Sequence, residues 1–268
     1  TEGVTPTAQK LAVVDVTATL LQYGGWSEIT DVIQDTHEDP ILQGMMQVHG
    51  QQASESFETM TYLTLRAGTN VVYAKGSARN AVNTKISLGK VRSAVRTLNK
   101  NKCRKKTTIL APSVNYKTQA IEAAYVAVCH TDLEPDIRDL PGFVPVSQYG
   151  SRQTICPQEF GSVENVRFIT TTIATPFADA GGLDGDAVLS TTGTNADVYP
   201  VLIFGEDAYG TVALKGKDSA EILVRNPGKP ENGNELGQRG SVGWKGWHVA
   251  ARLNEAWMVR LEVAATLL

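Results

Sequence analysis

Cys129, His130 and Asp132 fall in one short stretch and are of the types that do chemistry. A thiol can be deprotonated, an imidazole can take its proton, and a carboxylate can orient the ring. The same set could ligate a metal, but no second Cys/His pair follows at zinc-site spacing. His130 therefore reads as an exposed or core histidine, and a hydrolase using Cys129 and His130 stays as an alternative. His37 near a helix start, His49 within the helix and His248 on the polar side of a strand are each explained by their local setting. No serine sits in the strand-turn-helix elbow pattern, although a Ser-His-Asp site assembled in space leaves no local signature. Gly216-Lys217 lacks the upstream glycine and the following hydroxyl of a phosphate loop. Asp184-Gly185-Asp186 lacks the distal glutamate of a calcium loop. Gly237, Gly240, Gly243 and Gly246 recur at every third residue without strand-to-helix context, so the run reads as a flexible loop. Lys100-Asn101-Lys102-Cys103-Arg104-Lys105-Lys106 is either a nucleic-acid patch or, more simply, a set of cations at the negative end of a helix. No catalytic, cofactor-binding or metal-ligating residue is assigned, and no cofactor is expected.

The elements that would position such groups are organised around residues 39–68. Asp39-Pro40 is a helix start, an oxygen-bearing cap followed by proline, and Gly68 is a stop. Between them Ile41, Met45, Val48, Gln52, Phe57, Met60, Thr64 and Ala67 recur at steps near the helical period. Such a helix is roughly 42 Å long. Gly44 and Gly50 each weaken it by about 1 kcal/mol relative to alanine, so packing along its length must hold it.

Residues 11–23 read as a β-rich run broken by Gly24-Gly25-Trp26, and a short strand is expected around Val71, Val72 and Tyr73. A second helix spans about 87–102, with Leu88, Val91, Val95 and Leu98 as its buried stripe. A strand at 107–112 and an alanine-spaced helix at 114–128 follow, the last turn of which, Tyr125 to Cys129, favours β structure. Residues 131–162 read as irregular, 166–173 as a strand and 174–197 as an exposed mobile loop. Strands follow at 199–204, 212–214 and 221–225, and a glycine-rich loop at 226–243. The end reads as a half-buried hairpin. Trp247, Val249, Ala251 and Leu253 on one leg, and Trp257, Val259, Leu261 and Val263 on the other, face the core. His248, Arg252, Arg260 and Glu262 face away. Few long helices, scattered strands and no βαβ alternation make the class α+β.

A chain of 268 residues suits one large domain or two closely connected ones. Its net charge of −3 gives no global attraction to nucleic acid. Nothing approaches the ~18 continuous apolar residues of a membrane helix. The three widely spaced cysteines suit free thiols in a reducing compartment.

An ordered set of strings carries a resemblance. Glu2-Gly3-Val4-Thr5-Pro6, Tyr23-Gly24 with Trp26, and Thr30-Asp31 precede the long helix. Leu65-Arg66-Ala67-Gly68-Thr69-Asn70-Val71-Val72-Tyr73-Ala74 and Val91-Arg92-Ser93-Ala94-Val95-Arg96-Thr97-Leu98 follow it. Then come Phe204-Gly205-Glu206-Asp207-Ala208-Tyr209-Gly210, Gly237-Gln238-Arg239-Gly240-Ser241-Val242-Gly243-Trp244-Lys245 and Met258-Val259-Arg260-Leu261-Glu262. In this order the chain resembles the major capsid proteins of tailed bacteriophages, in the family typified by the coliphage called N-four. The resemblance implies the Hong Kong 97-type capsid fold: a spine helix and a long sheet in a peripheral P-domain, an A-domain at the capsomer centre, and an E-loop reaching over a neighbour. On this chain it implies an E-loop remnant and returning strand at 1–36 and a P-domain at 37–85 with its spine at 39–68. An A-domain is implied at 86–205 and a return to the P-domain sheet at 206–268. Family members carry an N-terminal arm and a first E-loop strand before Glu-Gly-Val-Thr-Pro, so a chain truncated or matured by cleavage is expected. The implied partners are identical subunits in hexamers and pentamers, scaffolding, portal and decoration proteins, and packaged double-stranded DNA held by weak non-specific contact. The implied location is the virion capsid, assembled in the host cytoplasm. An encapsulin-like cellular compartment is the alternative.

Overall fold

A computed structural model describes residues 3, 8, 10, 13–36, 40–110, 118–185, 187–212, 214, 220–230 and 233–268. In chain order these form β1 (Leu21–Thr30), α1 (Asp31–Thr36), α2 (Ile41–Arg66), β2 (Val71–Tyr73), α3 (Leu88–Lys100), β3 (Lys106–Leu110) and β4 (Thr118–Cys129). They continue with α4 (Glu134–Arg138), β5 (Phe143–Pro145), β6 (Glu159–Val163), β7 (Val166–Thr170), β8 (Tyr199–Phe204), β9 (Tyr209–Val212), β10 (Glu221–Arg225), β11 (Arg239–Arg252) and β12 (Met258–Val263).

Two sheets divide the strands. The smaller has the order β1-β11-β10, with β9 also on β11. The larger has the order β2-β12-β8-β4-β7-β6-β5, with β3 paired to β4. The long helix α2 lies along β11. Phe57 packs edge-on to Trp244 at 5.6 Å and stacks on His248 at 5.0 Å. A Cβ on Gly246 would stand 2.6 Å from Phe57 Cζ, so only glycine lets the helix sit this close. The main core lies between α3 and the larger sheet. Val91, Ala94, Val95 and Leu98 of α3 are buried against Tyr125, Ala127, Val201, Ile203, Val259 and Leu261. Each large aliphatic side chain buried in this way contributes about 1.5–3 kcal/mol.

The expected long helix is present as α2, with Pro40 at its N-cap position, and it ends where the Ala67 N–H donates to Leu63 O and the Gly68 N–H to Leu65 O. Asp39, read as its cap, lies outside the described residues. The strand expected at 11–23 is displaced: 13–20 carry no regular structure and β1 begins at Leu21. Gly24-Gly25-Trp26 does not break the strand but lies within it, paired with Lys245, Trp244 and Gly243. The reason is close approach, since a Cβ on Gly24 would meet Trp244 O at 2.7 Å.

The helix expected at 114–128 is a strand over its described part. Alanines at 120, 123, 124 and 127 fit a helical period, but β4 runs between β7 and β8, and Ala124 to Ala127 are buried. A strand covered on both faces loses the alternation that would have marked it. The loop expected at 226–243 ends earlier, because β11 starts at Arg239. Gly240, Gly243 and Gly246 are strand residues beside Pro227, Trp26 and Phe57. β11 and β12 are not a hairpin either, since they belong to different sheets.

Residues 174–197 are pinned where a mobile loop was expected. Asp197, fully buried, accepts the backbone N–H groups of Asp179 (2.8 Å) and Thr191 (3.0 Å) and the Thr191 hydroxyl (2.7 Å). Residues 131–162, expected to be irregular, hold α4, β5 and β6.

Candidate assembly surface

The residues of chemical type do not converge. Cys129 is buried in β4, its Sγ directed to Ile169 O at 3.6 Å, and burial pushes its thiol far above the ordinary range. A nucleophile needs the opposite shift. His130 begins a 3-10 turn: the Asp132 N–H donates to its Nδ1 at 3.2 Å, and the Tyr199 hydroxyl donates to Asp132 Oδ2 at 2.7 Å. The ring is thus used as a cap. Among the described residues no group of three or more His, Cys, Asp or Glu is placed to hold a metal ion. Gly216-Lys217 lies outside the described residues, and so does Asp186. An open cleft of about 1180 Å³ lies between the two sheets. Thr170, Thr171, Thr172, Glu206, Asp207 and Tyr209 line it, and Cys129 and His130 do not.

The polar side chains join elements instead. Arg79 donates from Nε and Nη2 to Glu262 Oε2 (2.9 Å) and Oε1 (2.8 Å), and Arg260 Nε donates to Glu262 Oε1 (2.8 Å). Arg260 also reaches Arg66 O and, at 2.9 Å, Gly68 O, so it satisfies carbonyls at the end of α2. The guanidinium groups of Arg79 and Arg66 lie 3.5 and 4.5 Å from the Phe177 ring centroid. Sequence alternation had put Arg260 and Glu262 on an outer face. β12 is in fact buried on both faces, and the charges are retained by pairing.

A second seam ties α2 to the smaller sheet. The Trp244 indole N–H can only donate, so the Gln52 atom 3.1 Å away is the amide oxygen. The same oxygen lies 3.1 Å from His49 Nδ1, which therefore carries the proton. His49 Nε2 is then the acceptor for the Ser27 hydroxyl at 3.0 Å. At His248, the Thr61 hydroxyl gives its proton to Phe57 O (2.9 Å), so the imidazole Nε2–H donates to Thr61 Oγ1 (2.9 Å). Burial lowers the His248 pKa below the usual value, with Glu58 opposing.

The described residues leave several large apolar side chains uncovered. Val13 and Val14 are 74% and 87% exposed, Trp26 of β1 is 71% exposed, and Ile222, Leu223 and Val224 of β10 are also exposed. Among the described residues β1 and β10 pair with β11 alone, so each has one edge that no described strand covers. At the head of α2, Ile41, Gly44, Met45 and Val48 border a shallow depression beside Ser27. The sequence marks Glu221–Arg225 as a strand but not as an edge, because its pattern does not say whether anything covers it.

The sequence pattern of the family described as phage capsid protein matches residues 13–261. The chain belongs to that family. No protein of curated function matches it in sequence. The capsid of Ralstonia phage GP4 is similar in structure, with a TM-score of 0.65 at 12% identity over 92% of this chain and 74% of that one. The head of Helicobacter pylori bacteriophage KHP40 is similar at a TM-score of 0.58 and 11% identity, with the same coverage of 92% and 74%. The SrpI encapsulin of Synechococcus elongatus PCC 7942 is also similar, with a TM-score of 0.54 at 11% identity over 91% of this chain and 74% of that one. The fold is the Hong Kong 97-type capsid fold, and the protein is a major capsid protein. Its apolar fringe is thus a feature of a phage capsid protein.

Proposed function

We propose that many identical copies of this protein form the icosahedral shell enclosing the double-stranded DNA genome of a tailed phage. The reading is carried by the apolar fringe of β1, β10 and residues 13–20 on a chain of the phage capsid family. Open edges of this kind are an aggregation hazard in a lone subunit, and burial against neighbours of the same kind removes the hazard. Obligate interfaces run to a few thousand Å² and are apolar. In this reading α2 is the spine. The peripheral domain takes 37–85 and 206–268, and 86–205 makes the domain at the capsomer centre. Residues 1–36 come from the loop that reaches a neighbour. The subunits form hexamers and pentamers in the host cytoplasm with scaffolding, portal and decoration proteins, and the role is structural, without catalysis.

Electron microscopy of the purified full-length protein, with its scaffolding partner, is expected to show shells or capsomers. Monodisperse monomers under every assembly condition would reject the proposal. Similarity to an encapsulin supports a second reading, a cellular compartment. The gene neighbourhood separates the two, since a cargo enzyme gene favours the compartment and portal and terminase genes favour the virus.

A further inference from the structure

We infer that the C-terminal end of α3 and the turn after it form a binding patch for the phosphate backbone of double-stranded DNA. Arg96, Lys100, Lys102 and Arg104 are exposed, and none of these side chains makes an ion pair or hydrogen bond with a described residue. Other cations nearby are engaged: Arg92 pairs with Glu164 at 2.7 Å, Lys90 donates to Tyr73 O, and Lys105 lies over the Tyr125 ring. The inference rests on the shell reading, which supplies the DNA.

Attraction to the helix dipole does not account for the set. That field fades beyond the last turn, which covers Lys100. Arg96 stands a full turn earlier, and Arg104 lies past the turn that ends the helix. Arg96 and Lys100 are four residues apart on one face, roughly 6 Å along the axis.

Lys102 supplies the second observation. Its φ is 54°, the left-handed conformation in which glycine is the usual occupant, and the turn closes through Cys103 N–H to Leu98 O at 3.0 Å. A lysine is thus held where glycine would be less strained, with its ammonium in solvent. The cleft between the sheets is lined by Lys106 but by none of these four residues. A partner read through charge alone is a row of phosphates. Glu206 is the acid beside the patch. Its N–H donates to Arg104 O at 2.9 Å, and its carboxylate pairs with none of the four.

The test titrates a short DNA duplex with the unassembled full-length protein at several salt concentrations. Engagement of all four cations predicts a log–log salt slope between about −3 and −4, a roughly 100-fold loss of affinity between about 50 and about 200 mM salt. Lys102→Gly should flatten the slope by about 1 without lowering the thermal midpoint, since it relieves the turn. Arg96→Gln with Lys100→Gln should flatten it by about 2. Unchanged affinity and slope in both variants would overturn the patch. Equally tight binding of a polyglutamate chain would overturn its assignment to phosphate. Shell formation by the wild type is scored separately by microscopy, so failure of the patch and failure of the shell reading are distinguishable.

Discussion

Glu262 is a fully buried carboxylate shared by Arg79 and Arg260, and Arg260 in turn holds the last carbonyls of α2. That carboxylate is the counter-charge to both guanidinium groups. Glu262→Gln leaves two guanidinium groups without a counter-charge, one of them at the buried Arg260. Removing one partner of a buried pair costs about 3–5 kcal/mol, and the partial exposure of Arg79 argues for the lower end. Chemical denaturation of the variant should show a midpoint lowered accordingly. A loss under about 1 kcal/mol would mean that the charges are solvated in the fold.

His248 gives a pH dependence whose sign follows from its setting. The ring is stacked on Phe57, donates to Thr61 and faces Glu58, and burial outweighs the carboxylate in lowering its pKa. The folded state therefore favours neutral imidazole. Stability from this group is full above about pH 6.5, the ordinary value, and is lost as pH falls through the lower folded value. Thermal midpoints of wild type and His248→Gln measured between about pH 5 and about pH 8 should converge toward the acid end. A difference that does not change with pH would remove the histidine as its cause.

Elements show how much of this was legible in the chain. α3, β8 and β10 could be read because their patterns are local: a buried stripe at helical spacing, and short apolar runs bounded by turn residues. β4 could not, because its alanines fit either period and only burial between β7 and β8 selects the strand. Arg260 and Glu262 were read as an outer face for a related reason, since alternation says which side chains share a face but not whether another layer covers it. The glycines divide along the same line. A methyl added to Gly50 in α2 would stand 3.6 Å from Ile222 Cδ1, an ordinary contact, and one added to Gly44 would meet nothing within 4 Å. Gly44→Ala and Gly50→Ala should each stabilise the subunit by about 0.5–1 kcal/mol through helix propensity. Gly246→Ala should destabilise it by about 1–3 kcal/mol, because the new methyl overlaps Phe57. Denaturant midpoints of the three variants test the seam, and equal effects at positions 50 and 246 would show that α2 does not pack closely on β11.

At the scale of the whole molecule, folding and assembly separate. The inner cluster around Tyr125, Leu98, Leu261 and Phe168 is complete within one subunit. Val13, Val14, Trp26 and the face of β10 are left exposed by the described residues, so they contribute little to subunit stability. Charged substitutions there should consequently leave the fold intact and abolish the assembly that hides the fringe. Val14→Asp and Leu223→Lys are expected to shift the stability of the unassembled subunit by no more than the roughly ±0.5 kcal/mol typical of surface positions. In sedimentation and electron microscopy the same proteins should remain as subunits where the wild type forms shells. A core variant such as Leu98→Ala reverses the pattern, losing about 2–5 kcal/mol of stability while its surviving folded fraction keeps the fringe and assembles. If Val14→Asp and Leu223→Lys both assembled normally, the uncovered strands would be ordinary surface and the neighbour contacts would have to lie elsewhere.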